Sequence, residues 1–197
     1  RGLGDVYKRQ IKNAEAPIYA LAPVSLDECT LSECVEGVIA YDDVTISNTI
    51  IHDASTGIEI RNGYADLDSV TIYDCAAALA LNDLADSVAT AEVTDCHFYN
   101  NSYGIAVSTS YRDVTIDGTT IDDNYYGLMF ALGPDASIDN TCAINGNDIG
   151  VWLYDSSNPV ISSSTIDSNL TDGIYCSAGS NITVIGTDIK HSPVGIY

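Results

Sequence analysis

Basic residues are scarce in this chain: seven Lys and Arg stand against 28 Asp and Glu, a formal net charge of −21. DNA and RNA binding needs clustered Lys and Arg, so a nucleic-acid partner is excluded. The balance suits solubility in salt or an extracellular setting. No Cys-x-x-Cys occurs among the six cysteines, and no Cys/His group has zinc spacing. No apolar run is long enough for a membrane span. The basic opening RGLGDVYKRQ is not followed by the apolar stretch of a secretory signal.

The chain does have a repeat. Val114–Phe130, VTIDGTTIDDNYYGLMF, is its clearest copy. Val114/Ile116 and Leu128/Phe130 are spaced by two, the period of a strand with one buried face. The glycine recurs as Gly37, Gly57, Gly104, Gly127, Gly150, Gly173 and Gly195, with Ala78 once in its place. A fixed period in the low twenties means a solenoid. Four apolar ladders run with it. They begin at Leu26, Leu31, Val38 and Ala40, and in the Gly127 coil they are Ile116, Ile121, Leu128 and Phe130. Helical solenoids need over about 30 residues per coil. The Leu-x-x-Leu-x-Leu of leucine-rich repeats is absent. Val, Ile and Thr favour strands. The expected fold is therefore all-β: a parallel β-helix of about eight coils with three short strands each.

On those ladders the chain resembles the right-handed parallel β-helix families, the pectin-lyase-like superfold, over roughly residues 24–197. Three residues after the Leu31 ladder stand Cys34, Ala54, Cys75, Asn101, Asn124, Asn147, Asn169 and Ser192. The four consecutive Asn resemble the asparagine ladder of such helices. Stacked amides hydrogen-bond along the column, and Asn tolerates the left-handed backbone that a sharp corner wants. The resemblance does not extend to enzyme motifs. Lyases of this fold pair Ca²⁺-binding Asp with an outward Arg or Lys. The candidates here are Arg61, Arg112 and Lys190; Arg61 shares its coil with Glu59 and Asp53 and has no second cation near. Of the polygalacturonase motifs only a bare Asp-Asp occurs.

Residues 1–10 carry three of the seven basic residues and show no ladder register, so they are set aside as a non-native or disordered head. Residues 11–23 read as a partial first coil. Ile196-Tyr197 stops inside a strand, which marks a C-terminally truncated β-helix cut from a longer protein. The step from Ala78 to Gly104 is the long one and leaves room for a loop after Leu81.

Cys29, Cys96 and Cys142 share an inward column with Thr49, Val70, Thr119, Ser164 and Thr187, where a small residue is wanted. Cys29–Cys34 is the one disulfide pair entertained. His52, His97 and His191 lie in separate coils and read as surface residues. Asp68, Asp117 and Asp139 share an outward column, and Asp122-Asp123 is an adjacent pair. Such carboxylates could serve glycoside hydrolysis or take Ca²⁺. The expectation is no catalytic residue and no cofactor, with Ca²⁺ the one alternative.

The residue two after each glycine points outward. That column ends in Met129, Trp152, Tyr175 and Tyr197, with Tyr154 beside Trp152. An outward apolar-aromatic strip marks an interaction surface. Two readings follow. One is a non-catalytic structural or binding region of a secreted or cell-surface protein, meeting a polysaccharide or another protein domain. The other is a fragment of a polysaccharide lyase or glycoside hydrolase.

Overall fold

Period-2 apolar pairs separated by short corners leave each coil unable to bury its own inner face, so coils must stack. A computed structural model describes residues 6–82, 89–108, 113–132, 135–155 and 157–197. Every strand pairing is parallel and joins one coil to the next. A representative coil has strands Asp113–Asp117, Thr120–Asp122 and Tyr126–Ala131. We call these the first, second and third faces. The first face is a nine-stranded sheet. The other two faces merge into one 16-stranded sheet, because Thr30–Ala40 and Ile50–Ile60 each run unbroken across both. No helix occurs among the described residues.

The four ladders are the core. Leu26, Ile46, Leu67, Val93, Ile116, Ile138 and Ile161 are inaccessible on the first face, and Phe98 and Phe130 are the largest fully buried side chains. Exposure rises at the two ends: Val6 and Ile11 are partly buried, as are Cys176 and Ile189, and Ile196 is open.

Two corners of each coil are built alike. Each turns on left-handed backbone, at one residue in most coils and at two, Asn140 and Thr141, in one. After the first face these include Glu28, Asn48, Ser69, Asp95, Gly118 and Ser163. After the second face they are Glu33, Asp53, Asp74, Asn100, Asp123, Gly146, Ser168 and His191. The left-handed residue thus immediately precedes the ladder asparagine, which corrects the expectation that the asparagines themselves take that conformation. Their contribution is hydrogen bonding. Asn124 Oδ1 accepts from the Asn101 backbone N–H at 2.9 Å and from Asn101 Nδ2 at 3.0 Å. Asn147 does the same for Asn124, and Asn169 for Asn147. Each Nδ2 also donates to the second-face carbonyl of the coil before, such as Asn124 to Phe98 O at 3.0 Å. The four amides are at most 4% exposed, so these bonds replace water for groups that would otherwise be buried unpaired.

The cysteine column at the other corner is a second ladder, not only a set of small space-fillers. Thr49 Oγ1 accepts from the Cys29 N–H, Cys96 Sγ from the Val70 N–H, Thr119 Oγ1 from the Cys96 N–H and Thr187 Oγ1 from the Ser164 N–H. All six cysteines are free thiols, Cys29 and Cys34 included. Burial pushes the Cys96 thiol up to about 12 and the Cys75 thiol to about 11.

The repeated glycine is not there for a positive φ. A Cβ on Gly104 would sit 2.6 Å from the Gly127 carbonyl oxygen, and one on Gly150 would sit 2.6 Å from that of Gly173. Successive coils approach too closely there for a side chain.

Ladder register reaches further toward the N-terminus than expected. Val6 pairs with Leu26 and Ile11 with Leu31, and both pack against the core. Lys8 bridges to Glu28 at 3.0 Å. Residues 6–12 therefore share the first coil with 18–20. The expected loop after Leu81 falls largely at residues 83–88, outside the described residues.

Candidate functional site

The outer surface of the third face carries three columns, because side chains before the glycine and two and four after it all point away from the core. In register, the first column runs Tyr103, Tyr126, Ile149, Asp172, Val194. The second runs Ala106, Met129, Trp152, Tyr175, and the third Ser108, Ala131, Tyr154.

Rings from neighbouring columns converge. Tyr126 stacks on Tyr103 with centroids 5.2 Å apart and on Trp152 at 4.7 Å, with planes within 24°. Tyr125 meets Tyr126 edge-on at 85°, and Tyr154 leans on Trp152 at 50°. Tyr175 and Tyr197 form a separate parallel pair at 5.0 Å. Among the described residues no ring contact joins Trp152 to Tyr175. The expected strip is therefore two groups. Met129, Trp152 and Tyr154 fall in one, Tyr175 and Tyr197 in the other. Tyr103, Tyr125 and Tyr126 belong to the first group and were missed. Their signal was the position before Gly104 and Gly127, one column over.

Exposure sets what these rings can do. The stacked Tyr126 and Trp152 are half-buried, while Tyr125 and Tyr154 beside them are 55% and 47% exposed. Burial, then the neighbouring Tyr125 hydroxyl, keeps the Tyr126 phenol protonated above its usual range, with Asp148 adding to the effect.

The same face differs near the N-terminus. The second column there is covered: Ile39 and Ala80 are 3% and 7% exposed, although strand alternation turns them outward. Beside it, Arg61 donates to Glu59 at 2.7 Å and to the Tyr41 hydroxyl, and its guanidinium lies 5.4 Å from the Tyr41 ring centre. Asn82 donates to the other Glu59 oxygen at 2.9 Å. Burial opposes ionisation of Glu59, but the hydrogen bonds from Arg61 and Asn82 and the Arg61 charge win and hold its carboxyl below the ordinary range. Tyr41 is held low by its hydrogen bonds with Tyr19 and then Arg61.

The second face carries another stack. His52 lies flat on Tyr73, Tyr73 on Tyr99, each at 4.9 Å, and His97 tilts against Tyr99. His97 Nε2 meets Asp122 at 2.6 Å, His52 Nδ1 meets Asp53 at 2.7 Å, and His191 Nδ1 meets Asp167 at 2.7 Å. The acidic column of the first face is tied internally. Asp139 takes the Ser162 hydroxyl, which, with the Asn140 N–H, lowers its carboxyl. Asp117 takes Asn140 Nδ2 at 2.9 Å. Lys190 lies 3.8 Å from Asp188, and Arg112 lies outside the described residues. Among the described residues no three His, Cys, Asp or Glu side chains converge as a metal site would require. No helix among them is long and apolar enough to cross a membrane.

A family described as the right-handed beta helix region matches residues 65–197. No curated protein and no solved structure matches the chain. The chain belongs to the right-handed β-helix family, which gives the solenoid its hand.

Proposed function

We propose that this right-handed β-helix is a non-catalytic binding region of a larger secreted or cell-surface protein, and that it contacts glycans through the aromatic half of its third face. The observation that carries this reading is the pair of exposed rings, Tyr125 and Tyr154, flanking the Tyr126–Trp152 stack. A planar ring with a polar tip packs against the C–H face of a sugar while nearby polar groups bond its hydroxyls. Asp148 and Asp155 neighbour these rings in sequence and register. The scaffold holds the rings on strands paired on both sides, so little ordering is left for binding to supply. Burial holds the Cys75, Cys96 and Cys142 thiols protonated, which limits their reactivity in an oxidising setting.

A second reading, a fragment of a polysaccharide lyase or glycoside hydrolase, has one observation in its favour. Tyr41, whose hydrogen bonds with Tyr19 and then Arg61 make it ionise more readily than an ordinary phenol, is the candidate proton-exchanging group. Against that use, Arg61 is already committed to Glu59.

Trp152 is the only Trp, so its fluorescence reports on the face directly. Titration with neutral and acidic polysaccharides should change the signal for a true ligand, and Trp152→Ala should remove that binding. A flat signal, with Trp152→Ala keeping every measurable partner, would leave the rings as packing surface only.

A further inference from the structure

The chain treats its aromatic rings in two ways. Near the N-terminus two tyrosines have a cation of the chain's own over them: Lys8 lies 4.8 Å from the Tyr7 ring centre and Arg61 5.4 Å from that of Tyr41. The negative face of a ring attracts such a charge. From residue 113 to 189 the sequence holds eleven Asp and no Lys, Arg or His. Tyr125, Tyr126, Trp152, Tyr154 and Tyr175 all lie in that stretch, and among the described residues no cation covers them. Lys190, just beyond it, sits on another face, in register with Asp167. Asp148 is near enough to act on the Tyr126 hydroxyl, and Asp172 stands two coils along in the Tyr126 column.

We infer that the ligand of this aromatic face carries positive charge: an amino-sugar chain with free amines, whose ammonium groups take the place over the rings that Lys8 and Arg61 fill elsewhere. The inference rests on the glycan-binding reading and narrows it. A uronic-acid chain would bring carboxylates against eleven others. A neutral chain gains ring contact alone. A chain of amino sugars gains ring contact, cation–π attraction and pairing with Asp148 and Asp172.

The test compares a glucosamine oligomer with its N-acetylated counterpart of equal length, at a pH where the amines are protonated. Trp152 fluorescence is the readout for chains that keep Trp152, and calorimetric titration for Trp152→Ala, at low and moderate salt. The free-amine oligomer should bind about tenfold tighter at low salt, with the gap closing as salt rises. Asp148→Asn with Asp172→Asn should narrow the gap, weakening the free-amine oligomer more than the N-acetylated one; an unchanged gap would overturn the inference. Equal affinities, or preference for the N-acetylated chain, would overturn the amine inference and leave the glycan reading standing. Binding of neither oligomer, nor of any neutral or acidic glycan, would end both. Free-amine binding that survives both Trp152→Ala and Tyr154→Ala would be diffuse attraction to an acidic protein, and would also overturn the inference. Both substituted side chains point outward, and circular dichroism verifies that the variants stay folded.

Discussion

The coils up to Cys75 and those from Asn101 onward share one backbone plan and differ in how polar groups are settled. In the first set the second corner holds Ala14, Cys34, Ala54 and Cys75. Two of those coils run straight through the corner as unbroken strands. Their third face is closed by an ion-pair cluster, Glu59–Arg61–Tyr41. In the second set the corner holds four bonded asparagines, and the third face leaves its rings open. One half is satisfied outside and plain at the corner. The other is satisfied at the corner and unsatisfied outside. A binding surface needs the second arrangement: a backbone held firmly underneath and side chains with capacity left over.

Substitutions sharpen this contrast. The largest effect should come from the ladder. Asn124→Leu strips the acceptor from the Asn101 N–H and Nδ2 and the donor from Phe98 O, and should destabilise by about 3 kcal/mol in urea unfolding. Asp122→Leu, on a half-exposed neighbour, should cost much less, as should Cys75→Ala in the other half. Equal midpoints for Asn124→Leu and Cys75→Ala would erase the difference between the halves. Next comes Glu59→Gln, which weakens the hold on Arg61 and should cost about 1 kcal/mol. The same variant tests the pH response. Glu59, Asp139 and Asp167 have folded values below the ordinary carboxylate range, so their stabilisation is complete above about pH 4–5. It is lost as pH falls through the lowered folded values. Acid unfolding of Glu59→Gln should therefore be shallower in pH than that of the parent, and identical profiles would show that the cluster carries no linked proton. The smallest effect should be Tyr154→Ala, within about 0.5 kcal/mol in stability, since the ring is largely in water. A larger loss would make Tyr154 a packing residue and close the open half.

What could be read from sequence divides along physical lines. The ladders were legible because inward positions demand one chemistry in every coil, so Ile116, Ile138 and Ile161 repeat almost unchanged. The left-handed corner residues were not. Asp123, Gly146, Ser168 and His191 do one job with four side chains, because the constraint is on backbone alone and several residue types tolerate it. Val6 and Ile11 were hidden by the basic residues around them. The ring partners were half legible. Spacing put Trp152 outward, but whether it leans toward Tyr126 or Tyr175 is a rotamer choice with no period. The hydroxyl and thiol ladder was visible as a column of small residues and was misread, since Cys and Thr look apolar enough for a core until their N–H partners are seen.

The two left-handed corners and the third corner also differ in tolerance. From the Leu26 ladder to the Leu31 ladder the spacing is five residues in every coil but one, Ile138 to Ile144, while the path from the third face to the next first face varies from coil to coil. Neighbouring coils are aligned by lateral hydrogen bonds and not by counting residues along the chain, so differences in length at that third corner leave every ladder in register. It is the natural splice site of the molecule. A peptide grafted directly after Asp155, ahead of the buried Ser157 that bonds to Phe130 O, would start one residue beyond the Tyr154 ring, and a tether there could be lengthened or cut while the coils on either side kept their places.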